Sequence, residues 1–208
     1  MTGEITMSVS EQTKFWQGHF GDEYTDRNII GADDRKNFFA RILSKTFGVR
    51  RICEYGANKG HNLEAISRLS QNYELTGVEL NGKACEQMSK LPGIHAVHAS
   101  LLEYRPTLPF DLTFICGVLI HLNPDDLPNA YKQLYESSGR YILINEYFNP
   151  VPVEIPYRGH QGKLFKRDFG GEFWDAHHDG VRLVDYGFLW KRVEPTWDDT
   201  NWWLFERV

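Results

Sequence analysis

Apolar residues fall along the chain in two rhythms, and their alternation predicts the fold. Short apolar runs bounded by turn residues recur at Val49 to Tyr55, Tyr73 to Leu80, Ile94 to Val97, Phe110 to Leu122 and Tyr141 to Ile144, as buried strands require. The fourth run suits a central strand covered on both faces, ending near Cys116 and Gly117. Other stretches show helical spacing. Leu63, Ile66 and Leu69 share one face after the first run, and Asn123 and Pro124 cap and open a helix that continues through Tyr135. Upstream, Asp33 is expected to cap a helix containing Phe38, Phe39, Ile42, Leu43 and Phe47, stopped by Gly48. Val181 to Trp190 and Asn201 to Arg207 read as a closing pair of strands joined through Pro195 and Asp198-Asp199. Alternating strands and helices define an α/β chain with a doubly wound, mostly parallel sheet of seven strands, finished by an antiparallel C-terminal hairpin.

Composition narrows the function class by exclusion. The 208 residues suit one domain, and a net charge of -5 gives no support for nucleic-acid or anionic-membrane partners. Cys53, Cys85 and Cys116 are odd in number and lack C-x-x-C spacing, which predicts buried thiols in a reducing, cytoplasmic setting and neither a disulfide frame nor a zinc site. No run approaches the length of a membrane span, and Met1 to Ile5 lack the character of a signal peptide. The first ten residues are polar and expected to fray. Adjacent His177 and His178, flanked by Asp175 and Asp179, seldom converge on one ion, so no metal is expected.

Candidate chemistry centres on Glu54-Tyr55-Gly56-Ala57-Asn58-Lys59-Gly60, where the first strand meets a glycine turn. Glycines let a ligand lie against the backbone, and the free N–H groups of a helix start face it. The spacing Gly56-x-x-x-Gly60 lacks the G-x-G-x-x-G of dinucleotide sites and the lysine of a phosphate loop. Glu54 would repel a pyrophosphate and favour a ligand carrying an ammonium group. Glu79, ending the second strand about 20 residues further on, is placed to hold ribose hydroxyls, a feature common to dinucleotide and other adenosine sites. The pattern resembles the first motif of class I S-adenosylmethionine (SAM)-dependent methyltransferases, with Asn58 standing where a glycine is usual. That resemblance covers most of the chain. It implies SAM as cofactor and S-adenosylhomocysteine (SAH) as product, held by Glu54, Gly56, Asn58, Gly60, Glu79, Leu80, Ser100, Leu101, Cys116 and Gly117, with Ser100 at the adenine.

A second resemblance lies upstream. Phe15-Trp16, Phe20 to Tyr24 and Arg27-Asn28, with the glycine turn, look like the methylases associated with pseudaminic acid biosynthesis. It implies that Tyr24 and Arg27 lie over the cofactor, Arg27 near its carboxylate. On composition alone the aromatic run is either a lid over the cleft or a helix shielding the sheet. The expected organisation is a cap over 1–32, then a methyltransferase domain over 33–208 with a substrate-binding insertion near 148–180. Within the insertion Arg158, Lys163, Lys166 and Arg167 form a cationic cluster. An anionic small-molecule acceptor is therefore expected, such as an acidic sugar, contacted by Tyr147, Tyr157, Arg158, His160, Lys163 and Arg167. His121 and Glu146, just past strands four and five, are the catalytic candidates, with His121 the first choice for general base. O-methylation is expected over N-methylation. The protein is expected to be a monomer or homodimer; the alternatives to a methyltransferase are an NAD(P)-dependent oxidoreductase and a SAM-binding protein without catalysis.

Overall fold

A computed structural model describes residues 10–28 and 31–208; the fraying expected of the first ten residues falls almost wholly outside them. Two short helices come first, α1 (Glu11–Gln17) and α2 (His19–Arg27), followed by α3 (Ala32–Leu43). The alternating core then runs β1 (Arg51–Tyr55), α4 (His61–Ser67), β2 (Glu74–Glu79), α5 (Gly82–Met88), β3 (Ile94–His98), β4 (Phe110–Cys116), α6 (Leu127–Ser137) and β5 (Ser138–Glu146). A two-stranded ribbon, β6 (Val153–Glu154) and β7 (Phe165–Lys166), precedes α7 (Phe169–His177), β8 (Val181–Leu189) and β9 (Thr200–Arg207).

The main sheet has the order β3-β2-β1-β4-β5-β9-β8. Its first five strands are parallel, and β9 runs antiparallel to both β5 and β8. Because neighbouring strands on one side of β1 are β2 and β3 and on the other β4 and β5, the chain changes direction between β1 and β4. Such a switch point leaves a crevice beyond the carboxyl ends of the strands.

Strand alternation divides the core in two. Ile52, Leu75, Leu112 and Phe114 face Phe39, Ile42, Leu63, Ile66 and Met88 of α3, α4 and α5. Cys53, Tyr55, Val78 and Ile115 face Leu127, Leu134, Phe169 and Phe173 of α6 and α7. Fully buried side chains such as Phe39, Phe114 and Phe169 each contribute about 1.5–3 kcal/mol of transfer free energy.

Several sequence expectations need adjustment. Helix α3 starts before Asp33 and stops at Leu43, so Asp33 lies in its first turn, where it accepts hydrogen bonds from Lys36 and Arg68. Phe47 lies beyond the helix and is exposed, its N–H donating to the Tyr141 hydroxyl. Strand β5 begins three residues ahead of Tyr141. The segment 148–180 is not one insertion, because α7 belongs to the core through fully buried Phe169 and Phe173. The ribbon with its flanking loops is a projecting segment outside the main sheet.

Candidate active site

A cavity of about 490 Å³ lies over the carboxyl ends of β1, β2 and β4. Its floor includes Glu54, Gly56, Ala57 and Asn58 from the first turn, Glu79, Leu80 and Asn81 from the second, Ala99 to Leu102 from the third, and Cys116 to Val118 from the fourth. Trp16, Tyr24, Arg27 and Asn28 of the N-terminal helices cover it, and Tyr157, Arg158 and Leu164 of the projecting segment form another wall.

The first turn explains its own composition. Gly56 has φ 70° and a Cβ there would stand 2.4 Å from Val118 Cγ2. Its N–H donates to the Val78 carbonyl at 2.8 Å, tying the turn to β2. Asn58 also sits in the left-handed region, at φ 48°. Asparagine tolerates that conformation better than other L-residues, and its Oδ1 accepts the Lys59 N–H at 2.7 Å. Asn58 thus adopts a left-handed backbone, which glycine takes without strain, at the position where the resembled motif has glycine. Gly60 does not line the cavity; it packs against Met88 and Leu91, where a Cβ would come within 3.0 Å of both.

Two carboxylates lie in the cavity floor. Glu79 accepts the Asn58 N–H through Oε2 and the Asn81 N–H through Oε1, each at 2.7 Å. This fixes its orientation while each oxygen keeps a second lone pair. Glu54 accepts from Asn62 Nδ2 at 2.6 Å through Oε1, but its buried Oε2 has no hydrogen-bond partner. Burial pushes the Glu54 carboxyl up to about 8, against the opposing pull of the Asn62 hydrogen bond and the Arg35 charge.

Arg35, which sequence reasoning missed, completes this group. Its Nη1 donates to Asn62 Oδ1 at 2.9 Å and its Nη2 to the Thr196 carbonyl at 3.1 Å, while the guanidinium lies 3.8 Å over Trp197. Its buried Nε has no hydrogen-bond partner. The line Arg35–Asn62–Glu54 therefore carries an unpartnered N–H at one end and an unpartnered carboxyl oxygen at the other. Arg27, the expected carboxylate partner, also lines the cavity but is exposed, its guanidinium 4.9 Å over Phe20 and 5.4 Å over Tyr24. Tyr24 is enclosed, and burial raises its hydroxyl to about 12. Ser100 lines the cavity with Oγ accepting the Leu102 N–H. Cys116 lines the cavity, and burial raises its thiol well above its ordinary range, which disfavours the thiolate.

His121 lines the cavity from the 3₁₀ turn Leu119–His121. Its Nδ1 lies 2.7 Å from the Lys163 carbonyl, which can only accept, so Nδ1 carries the proton and Nε2 keeps its lone pair. Burial pushes the imidazole down to about 4, so it is neutral at pH 7. Glu146 has a different role from the one expected. Its Oε1 accepts the Val118 and Leu119 N–H groups, both at 2.8 Å, and the residue does not line the cavity. It holds the loop that carries His121.

The cationic cluster disperses. Arg158 alone of the four reaches the cavity wall. Lys163 Nζ lies 3.8 Å from Glu11, Arg167 Nε donates to Glu172 at 2.6 Å, and Lys166 covers the Tyr147 ring at 5.0 Å. His160 packs on Phe15 and Phe20 of the N-terminal helices and is absent from the cavity lining. Tyr147 lines the cavity and donates to the Asp198 carboxylate; burial, followed by that carboxylate, holds its hydroxyl far above the ordinary range. Among the described residues no group of three or more His, Cys, Asp and Glu could hold a metal ion. His177 stacks instead on Tyr135 at 4.4 Å. No helix of the described residues is long and apolar enough to cross a membrane.

No protein-family profile and no curated protein matches the sequence. Solved structures do match over nearly the whole chain. The 1,6-didemethyltoxoflavin-N1-methyltransferase of Burkholderia thailandensis, with 1,6-didemethyltoxoflavin and SAH bound, superposes with a TM-score of 0.73 at 14% identity, covering 99% of this chain and 93% of that one. Magnesium protoporphyrin IX methyltransferase of Synechocystis PCC 6803, with SAH bound, gives 0.65 at 12% identity over 94% and 97%. An amino pentose methyltransferase of Micromonospora echinaspora involved in calicheamicin biosynthesis, bound to SAM, gives 0.64 at 12% over 91% and 96%. The chain therefore has the Rossmann-like fold of the class I methyltransferases.

Proposed function

We propose that the protein is a SAM-dependent methyltransferase acting on a small-molecule acceptor. The line Arg35–Asn62–Glu54 carries this reading. An α-amino acid end has an ammonium and a carboxylate, and the line offers a buried unpartnered oxygen for the first and a buried unpartnered N–H for the second. Gly56 lets such a ligand approach the backbone. Glu79, fixed by two N–H groups, would take ribose hydroxyls on its remaining lone pairs, with Ser100 and Leu101 at the adenine. Bound SAM supplies a methyl group on a sulfonium, made electrophilic by the positive sulfur. The protein's part is to hold the acceptor in line, which can provide roughly 7–11 kcal/mol of the barrier. Three structural neighbours that are methyltransferases with SAM or SAH bound support the same reading.

Gly56-x-x-x-Gly60 and a glutamate directly beneath the turn disfavour a dinucleotide. A silent SAM binder would have no use for a free His121 Nε2 beside the cofactor floor. The N-terminal helices would act as a lid over the site. An anionic group on the acceptor is supported by Arg158; an acidic sugar has only the resemblance to the pseudaminic-acid-associated methylases behind it. O-methylation fits an acceptor hydroxyl meeting His121. The free Cys53, Cys85 and Cys116 are compatible with a cytoplasmic setting.

Proton linkage tests the amino-acid reading. With its carboxyl near 8, Glu54 carries a proton at pH 7 in the free protein. A docked ammonium favours the carboxylate, so binding of SAH at pH 7 should expel about one proton, with affinity rising from pH 6 to 8. Calorimetry in two buffers of different ionisation enthalpy measures this. Zero proton release with affinity flat from pH 6 to 8 would contradict the linkage between the ammonium and a protonated Glu54.

A further inference from the structure

Three aromatic rings from three separate elements come together in the cavity lining. Trp16 comes from α1, His121 from the turn after β4, and Tyr157 from the projecting segment. The His121 ring centroid lies 4.4 Å from that of Trp16 and 5.1 Å from that of Tyr157. Trp16 and Tyr157 are 6.4 Å apart and tilted by 35°.

Each ring is held by its neighbours. Trp16 meets Phe20 and Tyr24 edge-on at 5.4 and 5.3 Å, and its carbonyl accepts from Asn81 Nδ2 at 3.3 Å. Tyr157 and His160 exchange two backbone hydrogen bonds of 2.9 Å across Arg158 and Gly159, whose φ values are 50° and 83°. That is a tight primed turn, and the left-handed arginine in it is a conformation the surroundings must enforce. The Lys163 carbonyl fixes the tautomer of His121. Aromatic rings lining a cavity offer offset stacking to another aromatic ring, an attraction beyond the area it buries.

We infer that the acceptor is a planar aromatic or heteroaromatic molecule, stacked on Trp16 and Tyr157, whose ring O–H or N–H meets His121 Nε2. This rests on the methyltransferase reading for its chemistry, though not for the shape of the ligand. As the bond from acceptor oxygen or nitrogen to the methyl carbon forms, the sulfur–carbon bond breaks with its electron pair going to sulfur. The acceptor proton passes to His121 Nε2. Ring hydroxyls and lactam N–H groups are far more acidic than sugar alcohols, so an imidazole whose basicity burial has reduced suffices as the proton's first stop. Arg158, at the rim, would face an acidic substituent of such a ring.

The test is a binding titration of the full chain with two planar probes, 7-hydroxycoumarin and lumazine, and two acidic sugars, glucuronate and N-acetylneuraminate. Each is run with and without SAH, and SAH is titrated separately. The inference expects the planar probes to bind more tightly than the sugars. Affinity should fall about tenfold in Tyr157→Leu and Trp16→Leu and recover in Trp16→Phe, while SAH binding to Tyr157→Leu persists. Tighter binding of either sugar, or planar-probe affinity unchanged by both leucine variants, overturns it. So does SAH binding with no affinity for either planar probe. Planar probes that bind where SAH does not would leave the aromatic site standing and reject the cofactor. Failure of both ligands would reject both readings.

Discussion

Arg35→Ala is expected to weaken SAH binding by two to three orders of magnitude, measured by calorimetry at pH 7. Two losses combine. The carboxylate of the ligand loses a charged donor in a buried site, and the Asn62 amide loses the group that orients it toward Glu54. Removing one partner of a buried charged group costs roughly 3–5 kcal/mol, and each 1.4 kcal/mol is about tenfold in affinity. Arg35→Lys should recover little, because an ammonium cannot hold Asn62, the Thr196 carbonyl and a ligand in the planar geometry of a guanidinium. Affinity within threefold of the parent protein would show that Arg27, or no arginine, meets the carboxylate.

Gly56→Ala has the next largest expected effect. A left-handed backbone costs an L-residue about 1–2 kcal/mol before any contact is counted. The new methyl would then stand 2.4 Å from Val118 Cγ2. Val118 cannot simply retreat, because its own N–H is held at 2.8 Å by Glu146. Either the turn or the loop carrying His121 must move. A loss of about 10- to 100-fold in SAH affinity is expected, with a lower melting temperature. Unchanged affinity and stability would mean that the turn has room the geometry denies it.

Much of this arrangement was legible in the residues. The largely apolar runs of β1 and β4, buried on both faces, and the i, i+3 spacing of Leu63 and Ile66 made the strand–turn–helix units legible. Glu54, Gly56, Asn58 and Glu79 meet at one cavity because strand ends in a parallel sheet share an edge. Other features depend on information that spacing does not carry. Glu146 was placed correctly at a strand end, yet position along a strand does not say which group a carboxylate faces, and it faces backbone N–H groups. The cationic cluster near 158–167 was a cluster in sequence alone. The ribbon β6–β7 and the partners Glu11 and Glu172 separate its members in space.

Two further signals lie in the sequence. Arg35 lies three and four residues before Phe38 and Phe39, so it shares the buried stripe of α3, where a charge needs a reason. Asp168, Phe169 and Phe173 give a cap followed by an i, i+4 apolar pair, which marks α7 as a core helix. The side chain of Asp168 accepts the Gly171 N–H at 2.8 Å, as such a cap should.

The measurement that bears most directly on the central claim is a calorimetric titration of the protein with SAM, SAH and NADH under one set of conditions. The geometry of Glu54, Arg35 and Glu79 predicts micromolar binding of SAM and SAH and no binding of NADH. Binding of NADH without SAM or SAH would contradict the account, because it would place a pyrophosphate beside Glu54 and leave the line from Arg35 to Glu54 without a ligand.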